Sequence, residues 1–227
     1  MGGLNSSDHL VRVLRSLQPN VVGGIGGGGR NWSAQLSPHD LATLMWSLSN
    51  LLAQRAPDGR ASVETACAPA TTASAEMCED VARAIVQRLG ESEERRAWQF
   101  SGSQAASLAW SFGAAVNAGV LKADRDRSVT FALDYLLQRV RRACEPVSVA
   151  ECVSAAWGAA QLNMWSSSEL ELLFAYIVDR LDEDLSSAHA DHTNTDLKTV
   201  LPLFELITVH APRLVESISE RPKVRSE

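Results

Sequence analysis

Four segments of the 227-residue sequence are similar to one another over sixteen positions without gaps, and this repetition constrains the fold most strongly. They are residues 36–51, 100–115, 147–162 and 192–207, and their starts lie 64, 47 and 45 residues apart. Residues 56–75, rich in Ala, Thr, Pro and Ser, are expected to form a disordered insertion that lengthens the first spacing. A period of about 45 residues is typical of stacked helical repeats.

Each segment opens with the signal for a helix N-terminus. A hydroxyl residue is followed three positions later by a side chain that can accept a hydrogen bond from the cap backbone, which is the pattern of a capping box. The four pairs are Ser37 and Asp40, Ser101 and Gln104, Ser148 and Glu151, and Thr193 and Asp196. Behind the cap, four columns are apolar or Ala in every copy, namely those of Leu41, Leu44, Met45 and Leu48. Their spacing predicts one buried helical face per copy.

A second amphipathic helix is predicted between copies, at residues 77–89, 128–142 and 167–181. Arg88, Arg139 and Arg180 lie near the ends of these helices, where cations complement the helix dipole. The predicted fold is all-α, an α-solenoid of about four antiparallel helix-pair repeats. The predicted organisation is a partial leading helix at 1–20, a Gly-rich linker at 21–35, the array at 36–220 and a tail at 221–227. Such ends are expected of a segment of a longer array, because solenoid ends normally carry polar caps.

Composition excludes several classes of function. No run of residues approaches the roughly 20 apolar positions of a membrane span, so a membrane partner is not expected. The four cysteines lack metal-site spacing and are expected to be reduced and mostly buried. No catalytic set of side chains is present, and His189 and His192 are interpreted as a solvated turn, so neither an enzyme nor a metal or small-molecule cofactor is predicted.

The repeat motifs are LATLMWSLSNL (Leu41–Leu51), AASLAWSFGAA (Ala105–Ala115) and CVSAAWGAAQL (Cys152–Leu162). They resemble the octotricopeptide-repeat family and, equally, the helical arrays that precede RAP domains in organelle RNA-processing proteins. The resemblance implies an α-solenoid that binds single-stranded RNA through the first helix of each pair. It also implies a mitochondrial or chloroplast location and a role in RNA processing, stability or translation. The spacing is longer than usual for that family, and Pro202 replaces the Trp in the fourth copy.

The columns between the buried ones supply the candidate contacts. Candidates for reading base edges, one base per repeat, are Thr43, Ser47, Asn50, Gln104, Ser107, Ser111, Ser154 and Gln161. The alternative is that the hydroxyl groups donate to carbonyls of their own helix or permit close helix packing. In the fourth copy the exposed columns hold Leu203 and Leu206. Trp46, Trp110 and Trp157 share one column, for which core packing is favoured over base stacking.

Candidates for phosphate contacts are Arg139, Arg141 and Arg142, although cations also favour a helix C-terminus in the absence of any ligand. The net charge is −6, and residues 166–227 hold 12 acids against 6 bases. A protein-interaction scaffold that uses the same surface is therefore the alternative to single-stranded RNA binding. The sign of the charge along the first helices discriminates between them, since a positive surface favours RNA and a negative one favours a protein partner.

Overall fold

The computed structural model describes residues 36–54, 69–90, 100–122, 127–143, 147–186, 201, 203–205 and 207–212. They form six α-helices: α1 (Pro38–Gln54), α2 (Pro69–Gly90), α3 (Gly102–Asn117), α4 (Arg127–Arg141), α5 (Val149–Gln161) and α6 (Ser168–Ser186). Most of the described residues from 201 to 212 are also helical. These ranges contain no β-strand, so the predicted all-α class is confirmed. We call α1, α3 and α5 the first helices and α2, α4 and α6 the second helices.

Each first helix begins at the predicted capping box. In α3, the Ser101 backbone nitrogen donates to Gln104 Oε1 at 3.0 Å, and the Gln104 nitrogen donates to Ser101 Oγ at 3.2 Å. The same reciprocal bonds join Ser37 with Asp40 and Ser148 with Glu151. Two backbone donors at each helix start are thereby satisfied by side chains.

Two arginine side chains connect the end of a second helix to the start of its first helix. Arg88 Nη1 donates to the carbonyl oxygen of Leu36 at 3.2 Å, and Arg139 Nη2 donates to that of Phe100 at 2.8 Å. Each acceptor stands immediately before the capping serine of the first helix. The helices within these two pairs are therefore antiparallel, as predicted.

Successive pairs pack through both kinds of helix. Among the first helices, α1 contacts α3 and α3 contacts α5; among the second helices, α2 contacts α4 and α4 contacts α6. Glu169 of α6 links the last two second helices, because its carboxylate accepts from Arg141 Nη2 at 3.2 Å and from Gln138 Nε2 at 3.3 Å.

The core is built from the columns that the sequence predicts, in the first three copies. Leu41, Leu44, Met45 and Leu48 of α1 are buried, and so are the eight residues that align with them in α3 and α5. In the fourth copy the prediction is wrong for Leu201, which is 58% exposed, while Phe204 packs against the core and the other two columns, at positions 197 and 200, lie outside the described residues. Leu203 and Ile207, which the columns do not include, are 1% exposed. Leu203, Ile207 and Ala211 are spaced four residues apart, so they form one apolar stripe on this helical segment, and that stripe enters the core instead.

The helices α3 and α5 are in close backbone contact. A Cβ atom added to Gly113 would stand 2.5 Å from Gly158 Cα, and one added to Gly158 would overlap the backbone carbonyl of Ala109. Real side chains do not tolerate such distances, so both glycines are required by the proximity of the two backbones. The small residues of copies two and three therefore set the spacing of the first helices.

Two further predictions are tested by the helix bounds. The segments predicted as second helices lie almost wholly within α2, α4 and α6, which confirms them. The predicted insertion at 56–75 is too long, since α2 already begins at Pro69, with a proline at a position that suits a first helical turn. Several predictions fall outside the described residues, namely the leading helix at 1–20, the linker at 21–35, the cap of Thr193 and Asp196, His189 with His192, Leu206, and the tail.

Candidate binding groove

An open groove of about 200 Å³ crosses the three first helices. Its lining residues are Trp46 and Asn50 from α1, Ala106, Ser107 and Trp110 from α3, and Glu151 and Ser154 from α5. The lining residues lie progressively nearer the N-terminus of each helix, from the second half of α1 to the first two turns of α5. The groove therefore crosses the repeat columns diagonally. It brings together three of the predicted contact residues, Asn50, Ser107 and Ser154.

Tryptophan side chains form the aromatic part of the groove. Trp46 is 48% exposed, so the prediction that this side chain packs in the core is wrong. Its position next to the buried Met45 turns it away from the apolar stripe by about 100°, which leaves the indole at the edge of the buried face. Trp110 is half-buried and stacks on Trp157, with ring centroids 6.3 Å apart and an interplanar angle of 28°.

The polar groups of the groove are mainly hydrogen-bond acceptors. Ser154 Oγ donates its proton to the carbonyl oxygen of Ala150 at 2.8 Å, and Asn50 Nδ2 donates to that of Trp46 at 2.9 Å. The alternative prediction, that helix hydroxyls donate to their own backbone, is thus correct for Ser154. With these protons engaged, the Ser154 oxygen retains its lone pairs and Asn50 retains its Oδ1 as an acceptor.

Glu151 is the charged group of the groove. Its Oε2 accepts from the Ser148 backbone nitrogen at 2.9 Å and from Ser148 Oγ at 2.7 Å. Partial burial acts to raise the pKa of Glu151, but hydrogen bonds from Ser103 and Ser148 outweigh it, so the pKa lies below the usual value of 4.5. The side chain is therefore a carboxylate at neutral pH.

The first helices carry two acids and neither lysine nor arginine. Neither Lys nor Arg occurs in Pro38–Gln54, Gly102–Asn117 or Val149–Gln161. Their acids are Asp40 and Glu151, and hydrogen bonds from Ser37 lower the pKa of Asp40 below its usual value. The surface of these three helices is therefore acidic at neutral pH.

The other polar candidates of the first helices do not line the groove. Thr43 is exposed, whereas Ser47 and Gln161 are half-buried. Gln104 caps α3 and its Nε2 lies 2.8 Å from His39 Nδ1. Ser111 is fully buried and donates to the carbonyl oxygen of Ser107 at 2.7 Å, so its prediction as an RNA contact is wrong. Its own carbonyl accepts from Ser49 Oγ of α1, which places this column at the helix–helix contact.

The three arginine candidates do not form one exposed cluster. Arg139 is half-buried and its Nη2 donates to the Phe100 carbonyl oxygen, while Arg141 pairs with Glu169. Arg142 alone of the three is exposed. Internal partners hold the guanidinium groups of Arg139 and Arg141, so fewer of their donors are available to a ligand, and the phosphate patch stays a prediction.

The described cysteines are structural. Cys78 and Cys152 are free thiols and fully buried, as predicted, whereas Cys67 and Cys144 lie outside the described residues. Burial raises the pKa of each thiol to about 11. At neutral pH both are protonated, which makes them poor nucleophiles.

Four groove residues were not among the sequence candidates: Trp46, Ala106, Trp110 and Glu151. Both the repeated Trp column and the exposed position of Glu151 are visible in the sequence. The tryptophans are not candidates because core packing is favoured for them, and Glu151 is not one because it is interpreted as a helix cap. In the part of the chain that the structure describes, no group of three or more His, Cys, Asp or Glu side chains is placed to hold a metal ion. None of the helices built from those residues is both long and apolar enough to cross a membrane.

Comparison of the chain with protein-family models, with curated proteins and with solved structures finds no match. What the groove binds must therefore follow from its own residues.

Proposed function

We propose that the chain is a binding module, an α-solenoid of about four helix-pair repeats that holds a segment of another protein in the groove of its first helices. The repeat architecture is supported by three capping boxes in register and by the same arginine contact in two pairs. It is also supported by the packing of first helices on first helices and of second helices on second helices.

One observation carries the choice of partner: an ionised Glu151 lines the groove together with Trp46 and Trp110, on helices without Lys or Arg. Binding of single-stranded nucleic acid normally needs basic side chains along the phosphate backbone. A carboxylate at the same place repels phosphate and attracts a cationic side chain. An aromatic groove with a polar rim is also a common feature of protein-binding surfaces.

Single-stranded RNA is the second candidate, for which the exposed indole of Trp46 is the favourable observation. Nucleobases stack on aromatic side chains, and Ser107 could hydrogen-bond a base edge. This candidate agrees with the resemblance to organelle RNA-binding repeats and with a mitochondrial or chloroplast location. On these acidic helices such binding would rest on stacking and would depend little on salt concentration.

Site-specific photocrosslinking separates the two partners. A photoreactive amino acid replaces Thr43, which is exposed one helical turn from Trp46 and does not line the groove. The full chain is crosslinked in an extract, and the adduct is digested with protease or nuclease. We expect an adduct that nuclease leaves intact and that is lost when Trp46→Ala is added. The control places the photoreactive group at Arg83, exposed on the second helix α2. An adduct that nuclease removes would instead establish RNA as the partner.

A further inference from the structure

We propose that the groove recognises arginine, taking the guanidinium group of a partner protein's arginine against Trp46 and pairing it with Glu151. This inference rests on the proposed function and names the chemistry of the partner. The groove has an aromatic surface, a carboxylate and neutral acceptor oxygens, and the helices that build it supply no cation.

The donor and acceptor inventory decides the kind of group that fits. Glu151 can only accept hydrogen bonds, and the Ser154 hydroxyl proton is engaged with the Ala150 carbonyl oxygen. Asn50 offers Oδ1 as an acceptor and one N–H beyond the one engaged with Trp46, and Ser107 adds a hydroxyl that can donate or accept. The one charged group of this lining is the Glu151 carboxylate, so the groove favours a ligand with a cationic donor over one with a negative charge. A nucleotide is less suitable, because its phosphate would face Glu151 without a Lys or Arg on these helices to compensate.

The tryptophan side chains of the groove favour a planar cation such as guanidinium over a compact one such as ammonium. Trp46 exposes about half of its surface, and Trp110 lines the same groove while stacked on Trp157. A guanidinium group is planar, stacks on an indole face and presents five donors in one plane. The ammonium of lysine also has three donors, but it is a compact, strongly hydrated charge with no plane to stack on an indole face. Arginine is therefore the expected ligand side chain.

The capping role of Glu151 makes a clean test possible. Glu151→Gln removes the charge and keeps a side chain that caps a helix, as Gln104 does for Ser101 in α3. Asp40→Gln is the matched control, since it removes the same charge from the equivalent cap position of α1, outside the groove lining. Trp46→Ala removes the stacking surface from an exposed position.

The probes are three short peptides, acetyl-Gly-X-Gly-amide with arginine, lysine or citrulline at X, together with guanosine monophosphate. Citrulline keeps the planar end group of arginine and loses its charge. Binding to the full chain is followed by NMR shifts of the indole N–H signals, assigned with tryptophan variants. We expect arginine to bind at millimolar concentration, with lysine and citrulline at least about fivefold weaker. Glu151→Gln and Trp46→Ala should each weaken arginine binding about three- to tenfold. Asp40→Gln should leave it unchanged.

Equal binding of the lysine or citrulline peptide, or the absence of arginine-dependent shifts up to about 10 mM, would overturn the proposal. Tighter binding of guanosine monophosphate would overturn it in favour of nucleic acid. The photocrosslinking result distinguishes failure of the arginine proposal from failure of the proposed function. A nuclease-resistant protein adduct combined with no arginine preference means that the partner is a protein recognised in another way. An RNA adduct means that the proposed function itself is wrong.

Discussion

Arg139 Nη2 lies 2.8 Å from the carbonyl oxygen of Phe100, a residue 39 positions earlier in the chain. The bond joins the last turn of α4 to the residue that precedes the cap of α3. Arg88 makes the corresponding bond to Leu36 in the preceding pair. Arginine at this position therefore does more than complement a helix dipole, because it fixes the two ends of a helix pair together.

Loss of this bond should destabilise the fold. Arg139→Met keeps most of the aliphatic stem and removes the donors, so we expect the free energy of unfolding to fall by about 1–2 kcal/mol. Arg142→Gln is the control, since Arg142 is exposed and should change stability by less than about 0.5 kcal/mol. Urea unfolding followed by circular dichroism measures both. Equal effects of the two substitutions would contradict the role given to Arg139.

The contact between α3 and α5 predicts a second result. Gly158→Ala introduces a methyl group into the space of the Ala109 carbonyl, so we expect about 1–3 kcal/mol of destabilisation and a changed near-UV signal from the Trp110–Trp157 stack. Gly90→Ala, at the end of α2 where no atom lies within 4 Å of the new methyl group, should be neutral or slightly stabilising. Thermal unfolding would refute the contact if both changes behaved alike.

The capping carboxylates predict a pH dependence. The pKa values of Asp40 and Glu151 are lowered in the folded chain, so each carboxylate stabilises the fold above its unfolded pKa and loses this effect as pH falls through its folded pKa. The melting temperature should therefore fall as pH drops below the usual pKa values, which are 4.5 for Glu151 and 3.8 for Asp40. The double substitution Asp40→Gln and Glu151→Gln should flatten this part of the curve while keeping both caps. An unchanged slope would mean that other groups dominate acid unfolding.

The buried thiols predict slow chemical labelling. In a chain carrying Cys67→Ser and Cys144→Ser, only Cys78 and Cys152 remain, and burial raises the pKa of both to about 11. We expect labelling by a thiol-specific disulfide reagent at pH 8 to proceed only as fast as the protein opens, and to become rapid in urea. Rapid reaction of the folded chain would show that the two cysteines are accessible. Circular dichroism before and after substitution verifies the fold.

Sequence patterns predict the features that depend on residues close together in the chain. The box of Ser101 and Gln104 spans three residues, and the buried columns follow from helical periodicity, so both could be predicted from the chain. The fourth copy shows where alignment fails, because a gapless alignment puts Leu201 in a buried column while Leu203 and Ile207 are the buried residues. A single gapless alignment cannot detect a change of helical register of this kind.

The groove could not be predicted because it depends on the stagger of three helices. Asn50, Ser107 and Glu151 stand in three different columns of the repeat, and they line one groove only because neighbouring first helices are displaced along their axes. The close approach of Gly113 and Gly158 shows how near the backbones of α3 and α5 lie to each other.

The bond from Arg139 to Phe100 lies inside one helix pair and not between pairs. A duplicated or deleted pair would take both the guanidinium donor and the carbonyl acceptor with it. Neighbouring pairs would keep their own bond, as Arg88 and Leu36 do. The array can consequently lengthen or shorten by whole pairs during evolution without leaving either partner of this bond alone.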